Sequence, residues 1–259
     1  MTNYFRTPHD LLLFRKYLMQ ENRYVLNEKW KLFLDGIILT AEKRKKDIPI
    51  KSILYRARNG FSKKELPDGS IEFHAYGPED FKPPDKSKAK AGRLNPQGIA
   101  YCYLAQDDMT AVAEIKPWIR DWVSLGRFMV LRNQRVVDTT IDNKTPTPTQ
   151  DVDWLKNDYP KFEQDELEKY NWGYLNWLFG KPISPQEGTL EYIATQYIAE
   201  VFKIYHWDGI CYSSSFTRNF NYVFFDDSSV KLIESELIDI TKILYRYSLI
   251  GGPDYYASG

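Results

Sequence analysis

The run Ala91-Gly-Arg-Leu-Asn-Pro-Gln-Gly-Ile-Ala-Tyr-Cys-Tyr-Leu-Ala105 constrains this chain most, because it demands a loop, a strand and then a helix in close succession. Gly92 and Gly98 bound a loop carrying Arg93, Asn95 and Pro96, a composition that neither a helix interior nor a central strand accepts. Ile99 to Leu104 then alternates as a strand, with Ile99, Tyr101 and Tyr103 on one face. Asp107 or Asp108 can cap a helix running through Thr110 to Lys116, which Pro117 stops. Glu114 falls inside that helix among Ala111, Val112, Ala113 and Ile115, with no cation at i−4. An acid in such a turn must be either solvated or paired.

Around this centre the pattern alternates between helix and short strand. Apolar residues at three-to-four spacing (Leu11, Leu12, Phe14, Tyr17, Leu18, then Trp30, Phe33, Leu34, Ile37) predict helix over residues 8–46. The basic run Lys43 to Lys46 is expected as its solvated end, where cations complement the helix dipole. Ser52 to Arg58 is a predicted strand with Arg56 and Arg58 on the same face, and residues 76–91 are a loop. A strand pair is expected over 126–137, a break at 145–149, and a helical insertion over 150–180. Leu190 to Tyr205 is an amphipathic helix with Ile193, Tyr197, Ile198, Val201 and Phe202 as its stripe. Strands follow at 209–214 and 222–225, then a strand-rich tail to Ile250. The sum is a mixed α+β domain over residues 49–259, with an N-terminal helical appendage over 1–48.

Charge and motif content narrow the chemistry. Lys plus Arg and Asp plus Glu number 35 each, which argues against binding nucleic acid through bulk charge. Two cysteines, Cys102 and Cys211, fit a reducing compartment. The N-terminus MTNYFRTPHD lacks a secretory layout, and no apolar run approaches the ~20 residues that span a bilayer; the expected location is cytoplasmic, away from membranes. Phosphate-binding, dinucleotide-binding, nucleophile-elbow and zinc-protease signatures are missing, and His9, His74 and His206 are scattered. What remains is a site without metal that works by charge and positioning.

Five fragments in order resemble the RES domain, a family characterised by an Arg, a Glu and a Ser. They are Tyr55-Arg56, Gly92-Arg93-Leu94-Asn95-Pro96-Gln97-Gly98, Tyr103-Leu104-Ala105 with Glu114, Asp208-Gly209-Ile210-Cys211-Tyr212-Ser213-Ser214, and Asn221-Tyr222-Val223-Phe224-Phe225. They span roughly residues 50–226 and leave out the N-terminal helices and an insertion at about 143–190. The resemblance implies an ADP-ribosyltransferase-like split β-sheet core with flanking helices. It also implies a toxin that depletes NAD by hydrolysis or phosphorolysis, silenced by a helix-turn-helix antitoxin.

On that resemblance Arg56, Arg93, Glu114 and Ser214 are the expected catalytic set, and Arg56, Arg93, Asn95, Tyr103 and Ser214 the expected NAD-binding set. NAD enters as substrate, with phosphate a candidate co-substrate and no further cofactor implied. Arg56 and Arg93 suit the pyrophosphate, since a guanidinium fork matches phosphate oxygens; Arg58 on the same face rivals Arg56. Glu114 would stabilise the oxocarbenium-like ribose as nicotinamide leaves. Tyr103 would stack on the nicotinamide or line its pocket, Ser214 would bind the adjoining ribose or a phosphate, and Asn95 would shape the arginine loop. Mono-ADP-ribosylation of a protein and a catalytically silent binding module are the alternatives. The N-terminal helices could pair with a second copy in a homodimer or pack on their own domain.

Overall fold

The structure, a computed structural model, describes residues 3–84, 88–143, 162–182 and 188–244. Residues 8–46 resolve into α1 (Asp10–Gln20) and α2 (Glu28–Ala41). The second begins at Asn27, whose side-chain oxygen accepts a bond from the Trp30 N–H at 3.2 Å. Leu11, Phe14 and Leu18 of α1 and Trp30, Phe33 and Ile37 of α2 are buried, as their spacing requires. They share one core with α5 (Gln164–Gly180) and α6 (Ile193–Ile204), so the apolar stripe of the N-terminal helices is covered by the chain's own helices.

The basic run corrects the sequence expectation. A 3-10 turn, Glu42–Arg44, ends the helix, and β1 (Lys45–Ile48) begins within the run. Arg44 is only 3% exposed: its guanidinium lies 4.6 Å from the Trp172 ring centre and 3.8 Å from Glu168, and donates to the Ile141 carbonyl. Lys43 also reaches Glu168, at 2.8 Å, and Lys46 reaches Asp138 at 3.1 Å. The carboxylates that draw these cations inward lie far downstream, where no local pattern reveals them.

The remaining strands are β2 (Ile53–Asn59), β3 (Ser62–Glu65), β4 (Ile71–His74), β5 (Cys102–Ala105), β6 (Trp122–Val130), β7 (Gln134–Asp138), β8 (Gly209–Ser213), β9 (Phe220–Phe224) and β10 (Val230–Asp239). Helices α3 (Pro78–Phe81) and α4 (Asp108–Glu114) complete the described elements used below. Eight strands form one sheet in the order β1-β7-β8-β9-β5-β2-β6-β10, and β3 pairs with β4 in a separate hairpin. Every pairing in the large sheet is antiparallel except β7 with β8, which are joined through α5 and α6 as a parallel pair requires. The fold is thus mixed α+β, a large mostly antiparallel sheet with flanking helices.

Differences from expectation are local. The expected loop 76–91 contains the single turn α3, and the strand pair over 126–137 begins earlier, at Trp122. The β3–β4 hairpin carries no buried face, so its strands lack the alternation that marks a strand. The break at 145–149, the start of the insertion and the end of the tail lie outside the described residues.

The sheet is split at its middle. Strands β2 and β6 pair continuously from Ile53–Met129 to Asn59–Val123, and β5 pairs with β9 from Cys102–Phe224 to Ala105–Asn221. Between β2 and β5 the register holds at Tyr55–Ala105 alone. Beyond that pair the two strands diverge, and the seam opens into a cavity.

Candidate active site

The seam cavity has a volume of about 720 Å³ and is lined by Tyr55 to Asn59 of β2, Tyr103 to Ala105 of β5, and Tyr76, Asp80, Ala111, Glu114, Ile115, Tyr212 and Asn221. Successive residues of β2 point to opposite faces, yet Tyr55 and Ala57 line the cavity together with Arg56 and Arg58. That is possible because the opening passes between strands instead of lying on one face.

Glu114 is brought here by a short, well-anchored helix. The Asp107 carboxylate caps α4 by accepting from the Thr110 N–H at 2.7 Å. Ala111 packs with Ala57, Ala105, Val123 and Leu125, small and medium side chains that let the helix lie close to the sheet. Lys116, with φ +50°, ends it. From the last turn, Glu114 Oε1 accepts from Ser214 Oγ at 2.9 Å and from Asn221 Nδ2 at 2.5 Å. Among the described residues Oε2 accepts no hydrogen bond. The carboxylate is therefore paired, not merely solvated, and is held through one oxygen.

Ser214 follows β8, its N–H bonded to the Asn219 carbonyl at 2.9 Å. Its hydroxyl accepts from the Phe216 N–H at 3.1 Å, which turns the hydroxyl proton toward Glu114. The neighbouring serines point elsewhere: Ser213 bonds with Asn176, and Ser215 donates to the Gly180 carbonyl. Asn221, 4% exposed, lies directly across the ladder from both Ala105 and Tyr212. The sequence motif contains Asn221, but only strand register shows that it faces Glu114.

The arginines divide differently from expectation. Arg56 Nη1 is buried and has no hydrogen-bond partner among the described residues. Arg58, the rival, is on the same wall; its Nη2 donates to the Lys82 carbonyl at 2.8 Å and its Nε has no partner. Burial, and then the nearby Arg56 charge, hold the Arg58 guanidinium below its ordinary pKa. Arg93 does not line the cavity: its Nη1 donates to the carbonyls of Phe179 and Gly180, at 2.8 and 3.0 Å, where it caps the C-terminal turn of α5. Arg93 therefore stands outside the lining in this structure, and Arg56 and Arg58 are the arginines that border the cavity.

Asn95 is likewise consumed by its own loop. Its amide nitrogen donates to the carbonyls of Lys90 and Ile99, at 3.0 and 2.8 Å, and its oxygen accepts from Tyr103 Oη at 2.8 Å. With its amide nitrogen donating within the loop and its oxygen accepting from Tyr103, it ties the loop to β5. Tyr103 Oη also accepts from the Leu94 N–H at 3.1 Å, and burial pushes the phenol up to about 12. The hydroxyl is thus a fixed strut while the ring borders the cavity.

Comparison with known proteins follows these residues. The sequence matches the profile of the RES domain over residues 70–243, which takes in Arg93, Tyr103, Glu114, Ser214 and Asn221. The chain belongs to the RES domain family. The RES match begins after Arg56 and includes α5. Among solved structures, the protein is similar to a chain of the M. tuberculosis MbcT-MbcA toxin-antitoxin complex, with 14% identity and a TM-score of 0.39 over 80% of this chain and 93% of that one. No curated protein matches it. Among the described residues no group of three or more His, Cys, Asp or Glu could hold a metal ion, and no helix is long and apolar enough to cross a membrane.

Proposed function

We propose that this RES protein cleaves the nicotinamide–ribose bond of NAD, with water or phosphate as acceptor, and acts as a toxin or defence effector. The observation that supports this is the Glu114 carboxylate, oriented by Ser214 and Asn221 on a cavity that also presents a buried, unpartnered Arg56 donor. Departure of neutral nicotinamide leaves positive charge on the ribose, and a fixed carboxylate beside it stabilises that charge without reorganising. Arg56 and Arg58 offer donors to the pyrophosphate. Tyr103 and Tyr212 supply flat, apolar surface at the nicotinamide end. Family membership extends the proposal to an inhibitory helix-turn-helix antitoxin as partner.

The test is nicotinamide release from NAD by purified protein, with and without phosphate. Release that falls at least about a hundredfold in Glu114→Ala supports the proposal. ADP-ribose as the product names water as acceptor, and its 1″-phosphate ester names phosphate. Unchanged release in the folded variant, or none from the folded wild type, overturns it.

A further inference from the structure

Asn59, at the end of β2, lines two spaces at once. One is the seam cavity; the other is an open hollow of about 610 Å³ formed by Gly60, Phe61, Lys63, Phe73, Arg120, Asp121 and Trp122. Three aromatic rings make up its floor. Phe61 and Phe73 meet edge to face at 5.2 Å, Phe73 and Trp122 likewise at 5.1 Å, and Phe61 and Trp122 are tilted by 58° at 5.0 Å. If these rings served only as the core of the β3–β4 hairpin, they would be sealed. Phe73 is instead 44% exposed and Trp122 39% exposed. In the edge-to-face pairs one ring's edge meets the other's face, so the surface left for a planar ligand is the exposed part of Phe73 and Trp122.

The charges around the floor are cationic on balance. Lys63 lies near the Phe61 and Phe73 rings and has no carboxylate partner among the described residues. Arg120 sits in the left-handed region, φ +71°, where a residue with a side chain is strained, and among the described residues its side chain makes only an exposed contact with Asp239 at 3.4 Å. Asp121 is occupied as the acceptor of the Trp118 N–H.

We propose that this hollow seats the adenosine half of the dinucleotide whose nicotinamide end lies at Glu114; the seat presupposes the NAD-cleaving function proposed above. The order of groups along β2 is the order of groups along the substrate. Tyr55 borders the Glu114 end, Arg56 and Arg58 carry the donors that suit a pyrophosphate, and Asn59 opens onto the aromatic floor. From Tyr55 to Asn59 the strand covers about 13 Å, a span suited to an extended dinucleotide. A purine fits the far end because aromatic stacking needs no hydrogen-bond code, and Lys63 and Arg120 complement the anionic substrate.

Two measurements test the seat, each on wild type, Trp122→Ala and Phe73→Ala, with the second variant guarding against misfolding of the first. In the first, AMP binding is followed by calorimetry and weakens about tenfold in either folded variant. In the second, the efficiency of nicotinamide release from NAD is divided by that from nicotinamide mononucleotide, which lacks the adenylate. This ratio falls about tenfold in the variants through a raised KM for NAD. Failure of AMP to bind wild type, or equal binding by all three proteins, overturns the seat and leaves the hollow to a protein partner. AMP binding weakened with the ratio unmoved also overturns it, making the hollow a separate nucleotide site. If neither substrate releases nicotinamide while AMP binding still weakens in the variants, the NAD-cleaving function fails and the nucleotide seat stands.

Discussion

The two banks of the seam are built differently. On one bank, β8, β9 and β5 are backed by α1, α2, α5 and α6 in a continuous core, where Trp172 and Phe202 stack 6.1 Å apart and Trp172 Nε1 donates to Thr40 Oγ1 at 2.8 Å. On the other, β2 and β6 carry the small cluster of Ala57, Val123 and Leu125 on one face, share Leu54, Phe128 and Val130 with a core that crosses the seam on the other, and run out to the open rings of Phe61, Phe73 and Trp122. Glu114 belongs by packing to α4, over β2, but its hydrogen bonds tie it to Ser214 and Asn221 on the heavily packed bank. The arginines of the lighter bank keep donors without partners. An unmade bond to a buried donor costs about 1–3 kcal/mol, a burden that makes sense where a ligand will supply the missing acceptor. On the proposed function, precision is thus invested where charge would develop, and spare bonding capacity where an anion would be held.

Weakening each bank in turn separates the two most clearly. Trp172→Ala should destabilise the protein by about 3–5 kcal/mol in urea unfolding, whereas Phe73→Ala should cost less than about 1 kcal/mol. Equal losses would erase the distinction. Arg56→Ala should raise the KM for NAD by roughly 10- to 100-fold with a far smaller loss of stability than Trp172→Ala, because Nη1 is a buried donor left unpaired among the described residues and the side chain's other contact is with the Cys102 thiol. A variant that unfolds more readily while binding NAD as before would show Arg56 to be structural.

Smaller effects sharpen the same picture. Arg93→Ala should cost about 1–3 kcal/mol of stability by uncapping Phe179 and Gly180, with a smaller change in KM than Arg56→Ala produces. A larger KM change at Arg93 would return it to the pyrophosphate. Ser214→Ala should lower kcat roughly tenfold, since Asn221 still holds the carboxylate. The smallest effect belongs to the thiols. Burial pushes Cys102 up to about 11 and Cys211 up to about 12, so neither should react with a thiol reagent at neutral pH until the protein unfolds. Rapid labelling of the native protein would contradict that burial.

How much of this was legible in the sequence varied with the range of the signal. Helix spacing in α1, α2 and α6, the Asp107 cap and the loop before β5 were readable because each is set by neighbours in the chain. Glu114 was ambiguous from its surroundings alone, since its partners are 100 and 107 residues away; the ordered RES fragments singled it out. Ser214 was separable from Ser213 by strand alternation. The contacts of Arg93 were not readable, because a motif specifies a residue type and not the direction in which its side chain turns. The α5 carbonyls that claim it come from an insertion outside the fragments that carried the resemblance. The burial of Arg44 and the β3–β4 aromatic cluster escaped for the same reason, being created by contacts between distant segments.

The most direct measurement compares kcat and KM for NAD in Glu114→Gln, which keeps the size of the side chain and removes its charge, with those in Arg56→Ala. Glu114→Gln should lose about 100- to 1000-fold in kcat with KM within a few-fold, while Arg56→Ala should act mainly on KM. A Glu114→Gln protein that turns over NAD at the wild-type rate would contradict the proposed role of the carboxylate.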